Sequence, residues 1–182
     1  MKRSRATILV VDDEPDDLYL IGAAFRATGI PSMIRTLGSG KEAVAYVTGE
    51  GKYADRVLYP QPDFVLTDLK MPGVDGFALL ECLKQNPETA TIPTVVLSGS
   101  SDSDDIVRAH LLGASSFHVK PTDATALRTF IRVLHDYWML CEVPAIGADG
   151  WRSKTSSRHK LGERFAAWMP GARRAEDIGM TG

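Results

Sequence analysis

The sequence predicts a doubly wound α/β domain, in which helices cover both faces of a parallel five-stranded β-sheet. Short apolar runs alternate with longer segments whose apolar residues recur at helical spacing, as in successive βαβ units. Four of these runs end in polar residues, at Asp12, Asp68, Ser98 and Lys120. Because the carboxyl ends of parallel strands meet at one edge of a sheet, we expect these residues to share one site.

The N-terminal part of the chain predicts two strands and the helix between them. Residues 8–11 form an unbroken run of β-branched residues and leucine, typical of a strand that is covered on both faces. Asp16 and Asp17 begin the following helix as solvated charges at the positive end of the helix dipole, and Gly29 ends it. A second strand is predicted at residues 33–37.

The alternation continues to about residue 141. Ser39 and Glu42 form a capping box that starts the second helix. Residues 49–62 lose all periodicity and contain glycines and prolines, which predicts a long surface loop. The remaining elements are expected in this order: a strand at 63–67, a helix from about 75 to 86, a strand at 92–97, a helix at 103–112, a strand at 116–119, and a last helix from 121 onward. The expected strand order, 2-1-3-4-5, is that of flavodoxin-like folds, and it places the end of strand one beside Asp68.

Composition limits the size and class of the protein. Its 182 residues, 44% apolar and 24% charged, fit one domain at residues 6–144 followed by a short segment at 145–182. This second segment is basic, with a net charge of +3, and we expect it to be a flexible tail. The rest of the chain carries −5 and lacks the concentrated basic face of a nucleic-acid-binding protein. Neither a membrane span nor a signal peptide is predicted, so a cytoplasmic location is expected.

Crowded carboxylates at the edge of a sheet repel one another unless a cation lies between them. Mg²⁺ is typically held by one or two carboxylates, with water and a phosphate oxygen completing its shell. Asp13 and Asp68 are the expected metal ligands, with Asp12 close by and linked to the ion through water. A phosphate-containing substrate would supply the missing oxygen.

Lys120 and Ser98 add a positive charge and a hydroxyl donor at neighbouring strand ends. Together with Mg²⁺ they would neutralise the oxygens of a phosphoryl group during its transfer, a reaction in which catalysis is mostly positioning and electrostatics. Asp68 is then the expected nucleophile, because carboxylates form aspartyl-phosphate intermediates.

These residues belong to four separated motifs along the chain. They are Val10-Val11-Asp12-Asp13, residues 67–76 from Thr67 through Asp68 to Gly76, Leu97-Ser98-Gly99 and Val119-Lys120-Pro121. In this order they closely resemble the receiver domain of two-component response regulators, the CheY-like family. The resemblance covers about residues 6–136.

The resemblance implies a role for each matched residue. Asp68 would be the phosphoacceptor, and the backbone carbonyl of Lys70 would complete the metal shell formed by the acidic pair Asp12 and Asp13. The other matches are phosphoryl-binding and switch positions: Ser98 as the hydroxyl switch, Gly99 as its small neighbour, Lys120 as the family's lysine, and Phe117 as the aromatic switch.

The last helix is longer than the fold requires. Its apolar spacing continues to Cys141, about 20 residues or roughly 30 Å, so its end is expected to extend beyond the sheet. An exposed apolar patch is expected there, formed by Tyr137, Trp138, Met139, Leu140 and Val143. It predicts a homodimer, with Leu134, Tyr137, Trp138 and Cys141 as the interface residues. This ending and the long loop before strand three are similar to those of phytochrome-associated single-domain response regulators.

The expected function is that of a stand-alone response regulator. It would accept a phosphoryl group on Asp68 from a histidine kinase, phytochrome-type by the subfamily resemblance, and would act as a switch rather than a metabolic enzyme. An aspartate-nucleophile phosphatase of the haloacid dehalogenase type is the enzymatic alternative, but it requires a second Asp where this chain has Lys70. A flavodoxin-like cofactor binder would need a glycine-rich phosphate loop in place of the acidic residues after strand one.

Overall fold

The computed structural model describes residues 6–142 and 144–152 of the chain. These residues form a parallel five-stranded sheet in the order β2-β1-β3-β4-β5, which confirms the predicted fold class and strand order. The strands are β1 (Thr7–Val11), β2 (Met33–Leu37), β3 (Phe64–Thr67), β4 (Thr94–Ser98) and β5 (Ser116–Val119). The helices are α1 (Pro15–Thr28), α2 (Gly40–Thr48), α3 (Gly76–Gln85), α4 (Ser103–Leu111) and α5 (Ala124–Leu140).

Helices cover both faces of the sheet because its central strands are apolar on both sides. Ile8 and Val10 of β1 pack in a core with residues of α1 and α5. Leu9 and Val11 point to the opposite face and pack with residues of α2 and α3. Residues 8–11 of β1 are all buried, as the unbroken apolar run predicts, and so is Thr7 before them.

Element boundaries agree with the sequence prediction to within two residues for the strands, and the deviations have local causes. β4 begins at Thr94 rather than at Ile92, because Pro93 has no N–H to donate and takes part in the ladder only through its carbonyl, which accepts from the N–H of Val65. α2 begins after Ser39, whose hydroxyl accepts a hydrogen bond from the Glu42 N–H at 3.3 Å. That bond is the N-terminal half of the predicted capping box.

The connection at residues 49–62 is the predicted loop, with many exposed residues, but it is anchored by buried side chains. Arg56 within it is buried, and its guanidinium donates hydrogen bonds to the carbonyls of Tyr46 and Val47, both at 2.6 Å, and of Tyr59 at 2.9 Å. Two of these carbonyls belong to the last turn of α2, where helix geometry leaves backbone acceptors without intrahelical partners. Arg56 therefore anchors the loop to the end of α2.

Residues 144–152, most of which the sequence prediction assigned to the tail, pack against this connection. Arg152 is buried and donates to the carbonyls of Pro62, Asp63 and Pro144 at 2.6–3.0 Å. The guanidinium of Arg56 lies over the ring of Trp151, 4.2 Å from its centroid. We call residues 144–152 the C-terminal strap. The rest of the predicted tail, residues 153–182, lies outside the described residues.

The outer part of α5 agrees with the predicted patch only in part: Tyr137 and Leu140 are exposed, whereas Val143 lies outside the described residues. Leu134 is buried in the core, and Trp138 is half-buried with its ring stacked on Phe64 at 6.2 Å between centroids. The expectation that these two residues form an exposed interface is wrong, because the start of β3 provides core beneath the end of the helix. Cys141 is partly buried. The large apolar side chains that α5 exposes are Val133, Tyr137 and Leu140. None of the helices in the described part of the chain is long and apolar enough to cross a membrane.

Candidate functional site

Three carboxylates meet at the carboxyl edge of the sheet, where β1 and β3 lie side by side. Val11 and Thr67, the last residues of the two strands, are in register, so Asp12 and Asp68 follow them at the same level. Backbone hydrogen bonds hold both residues, from the Asp12 N–H to Leu37 and from the Asp68 N–H to Val11. One carboxylate oxygen from each of Asp12, Asp13 and Asp68 lies within 4.8 Å of the others, as the sequence analysis expects.

Lys120 reaches this cluster from β5, on the far side of β4. Its backbone N–H bonds to the carbonyl of Ser98 at 2.8 Å. Its ammonium nitrogen lies 2.8 Å from Asp12 Oδ2 and 3.9 Å from Asp68 Oδ2. The sequence prediction that Lys120 pairs with the strand-end carboxylates is consistent with these distances.

Asp17 is a site residue that the sequence analysis missed. The sequence predicts a solvated helix-start charge here, but Oδ2 of Asp17 accepts a hydrogen bond from the Lys120 ammonium at 2.5 Å. The sequence feature that could have identified Asp17 as a site residue is its position in the first turn of α1, which follows closely after the end of β1. Helical side chains tilt toward the N-terminus of their helix, so a carboxylate here leans back toward the strand ends.

Burial and pairing act in opposite directions on the charged groups of the site. Burial is the largest influence on Asp12 and raises the pKa of its carboxyl above the ordinary value, although the hydrogen bonds from Lys120 and from the Glu14 N–H oppose this. Burial also disfavours the charged form of Lys120, but its hydrogen bonds to Asp12 and Asp17 outweigh this effect, so the pKa of Lys120 is raised. The ammonium is therefore kept charged inside an acidic site.

Ser98 and Phe117, the two predicted switch residues, lie on one face of the sheet. Ser98 is buried at the end of β4 and stands in register with Val119, while Phe117 stands in register with Val96, two residues earlier. Because alternate residues share a face, Phe117 and Ser98 are diagonal neighbours. Phe117 is half-buried against a core cluster formed by residues of β4, α3 and α4. Gly99 has open space where a Cβ would lie.

Lys70, two residues after Asp68, has an exposed side chain that points to the rim of the site. Its ammonium lies 3.4 Å from Asp105 Oδ2, and the same oxygen accepts a hydrogen bond from the Ser100 hydroxyl at 2.9 Å. A phosphatase of the haloacid dehalogenase type needs a general-acid Asp at position 70. This chain has Lys70 there, a cation that pairs with Asp105 at the surface. The structure gives that alternative no support.

The residues at this edge fit a divalent cation. Asp68 Oδ1 is buried and has no hydrogen-bond partner among the described residues. Leaving a buried carboxylate oxygen unpaired is costly unless a cation or donor satisfies it. Together with the oxygens of Asp12 and Asp13 it forms an oxygen-only donor set, the kind that hard cations such as Mg²⁺ prefer.

The flavodoxin-like fold and the acidic site at its carboxyl edge are those expected of a receiver domain, and comparison with known families agrees with this class. Residues 8–132 match the family model of the response regulator receiver domain. The chain belongs to this family, whose members serve two-component signalling, interact with histidine kinases and bind Mg²⁺ or Mn²⁺ in an acidic pocket.

Individual response regulators are similar to the chain over most of its length. Response regulator Rcp1 from Synechocystis sp. is 29% identical over 132 residues, which cover 72% of this chain and 88% of Rcp1. The structure of the phosphorylated cyanobacterial phytochrome response regulator RcpA has a TM-score of 0.72 and 31% identity, covering 78% of this chain and 99% of that one. The Mn²⁺-bound structure of Rcp1 has a TM-score of 0.69 and 28% identity, covering 77% and 99%.

Proposed function

We propose that the protein accepts a phosphoryl group on Asp68 from the phosphohistidine of a histidine kinase and signals through the resulting change in its surface. The observation that carries the proposal is the buried Oδ1 of Asp68, which none of residues 6–142 and 144–152 pairs, beside two further carboxylates and the Lys120 ammonium. An Asp68 oxygen attacks phosphorus, the new O–P bond forms, and the bond from phosphorus to the histidine nitrogen breaks with its electron pair left on nitrogen.

Mg²⁺ is the proposed cofactor, held by Asp13, Asp68 and the backbone carbonyl of Lys70, with Asp12 linked through water. The bound ion would supply positive charge against the oxygens of the phosphoryl group. Lys120 supplies a second positive charge, and Ser98 a hydroxyl donor. The structure of Mn²⁺-bound Rcp1 supports a divalent ion in a related protein.

Incubation with acetyl phosphate and Mg²⁺, followed by intact mass measurement, tests this proposal. The parent protein is expected to gain the mass of one phosphoryl group, and the Asp68→Asn variant none. Omission of Mg²⁺ should prevent labelling. If Asp68→Asn were labelled as fast as the parent, the phosphoacceptor would be another residue.

For the output we propose that Ser98 turns toward the phosphoryl group and Phe117 moves into the space that Ser98 leaves. Their diagonal position on one face of the sheet supports this coupling. A Ser98→Ala variant is expected to accept phosphate without changing the face formed by α4, β5 and α5. Equal amide shifts on that face in variant and parent after phosphorylation would contradict the coupling.

The resemblance to the cyanobacterial phytochrome response regulator RcpA supports a phytochrome-type kinase as the phosphoryl donor. Transfer rates from such a kinase and from an unrelated histidine kinase can be compared directly. Faster transfer from the phytochrome-type kinase is expected, and equal rates would contradict this part of the proposal.

We also propose a homodimer formed through α5, with Val133 added to the predicted residues Tyr137 and Leu140 as its apolar contacts. These three side chains are 59–74% exposed on one helix, and such exposed apolar groups mark interfaces when they lie together. Leu134 and Trp138 would support the interface from within the core rather than contact the second copy.

A further inference from the structure

Lys120 lies between three carboxylates at unequal distances. Its ammonium nitrogen is 2.5 Å from Asp17 Oδ2 and 2.8 Å from Asp12 Oδ2, but 3.9 Å from Asp68 Oδ2. An ammonium has three donors, and two of them are directed to carboxylates other than the proposed phosphoacceptor. The charge that must neutralise a phosphoryl group on Asp68 is thus engaged elsewhere at rest.

The two close partners of Lys120 differ in how firmly they are held. The Asp12 side chain is 2% exposed, and its second oxygen accepts a hydrogen bond from the Glu14 N–H. The Asp17 side chain is 34% exposed at the start of α1. Water can take over the solvation of an exposed carboxylate, whereas a buried one left unpaired is costly. Asp17 is therefore the partner that Lys120 can leave at the lower cost.

We propose that Asp17 is a positioning residue that holds Lys120 in a resting position and competes with the incoming phosphoryl group for this lysine. The inference rests on the proposed function of Asp68 as phosphoacceptor. When acetyl phosphate is the donor, an Asp68 oxygen bonds to phosphorus, and the phosphorus–oxygen bond to acetate breaks with its electron pair on acetate. During this step Lys120 turns from Asp17 to the phosphoryl oxygens, so the Asp17 pair opposes phosphorylation.

The test is the initial rate of phosphorylation by acetyl phosphate in Mg²⁺, measured by intact mass for the full chain. Asp17→Asn keeps the shape of the side chain and removes its charge, and is expected to raise the rate about two- to fivefold, the range of an exposed ion pair. Asp17→Glu restores the charge and is expected to return the rate toward that of the parent protein. Thermal unfolding of each variant checks that it is folded.

Asp16→Asn is the matched control, because it removes the same charge from the same helical turn. Asp16 is exposed, and within the described residues Lys120 pairs with Asp12, Asp17 and Asp68 instead. The Asp16→Asn variant is expected to be phosphorylated at the same initial rate as the parent protein. Equal rates for Asp17→Asn and Asp16→Asn would overturn the inference, because only the overall charge would then matter. A slower rate in Asp17→Asn would also overturn it.

A second, equilibrium measurement does not depend on chemical transfer. Beryllofluoride is a phosphoryl analogue, and its binding with Mg²⁺ can be followed by fluorine NMR. Asp17→Asn is expected to bind it about two- to fivefold more tightly than the parent. If the parent protein is neither labelled by acetyl phosphate nor binds beryllofluoride, the proposed function itself fails and this inference with it. If the parent does both and Asp17→Asn leaves both unchanged, only the role of Asp17 fails.

Discussion

Gly76 shows how a single residue fixes the place of Asp68. A Cβ at this position would lie 2.2 Å from the carbonyl oxygen of Asp68 and 2.7 Å from Cα of Leu69. The N–H of Gly76 also bonds to the carbonyl of Leu69 at 2.9 Å. The first turn of α3 therefore packs directly against the backbone that presents the Asp68 side chain. Any side chain here must displace that backbone.

We predict that Gly76→Ala lowers the free energy of unfolding by about 1 to 3 kcal/mol, the usual cost of forcing a methyl group into filled space. It should also slow phosphorylation of Asp68 by moving its backbone. Urea unfolding and labelling by acetyl phosphate measure the two effects. Gly38→Ala is the control, because a Cβ there would meet open space. Similar stability of the two variants would show that the backbone adjusts without cost.

At the scale of elements, the C-terminal strap completes the amino edge of the sheet. Gln61 donates its backbone N–H to the carbonyl of Gly150, and the Gln61 side chain accepts from the N–H of Arg152. Arg152 itself bonds to the carbonyls of Pro62 and Asp63, which lead into β3. Backbone acceptors that face the interior need partners, and this arginine supplies them. The strap and the 49–62 connection thus form one packed unit.

Arg152→Ala is predicted to destabilise the protein by about 1 to 3 kcal/mol, because it leaves buried carbonyls without donors. It should also increase hydrogen exchange in the 49–62 connection. Arg128→Ala is a suitable control, since that arginine is exposed on α5 and bonds to Thr125 within the same helix. Unchanged exchange at residues 49–62 in the Arg152 variant would mean that the connection holds its shape without the strap.

At the scale of the whole molecule, the two ends of the parallel strands differ in structure: the carboxyl edge of the sheet holds the charged site, and the amino edge is closed by packing. The carboxyl edge gathers Asp12, Asp13 and Asp68, and one carboxylate oxygen there has no hydrogen-bond partner within the described part of the chain. The amino edge is closed by buried arginines and by Trp138 stacked on Phe64. Because α5 runs from one edge to the other, its end carries the proposed dimer contacts far from the charged site.

The dimer proposal predicts that Tyr137→Glu shifts the protein to a monomer without loss of phosphorylation, because a charge in an apolar interface is costly. Sedimentation velocity at tens of micromolar measures the oligomeric state. Tyr19→Glu is the matched control, a tyrosine of similar exposure on α1. The dimer would be excluded if the parent itself sedimented as a monomer with and without phosphorylation.

The sequence alone determined the order of elements and the gathering of Asp12, Asp13, Asp68 and Lys120. It could do so because apolar periodicity and helix caps are local signals, and because all parallel strands end at the same edge of the sheet.

Contacts between distant parts of the chain required the tertiary structure. The pairing of Asp17 with Lys120 joins residues that are 103 positions apart, and Arg152 reaches carbonyls about 90 positions away. The helical spacing of the apolar residues places Trp138 on one face of α5. Only the tertiary structure shows that Phe64 lies against its ring and covers it. The local sequence does not show whether solvent or a distant segment surrounds a charged or aromatic side chain. Tertiary packing determines those surroundings.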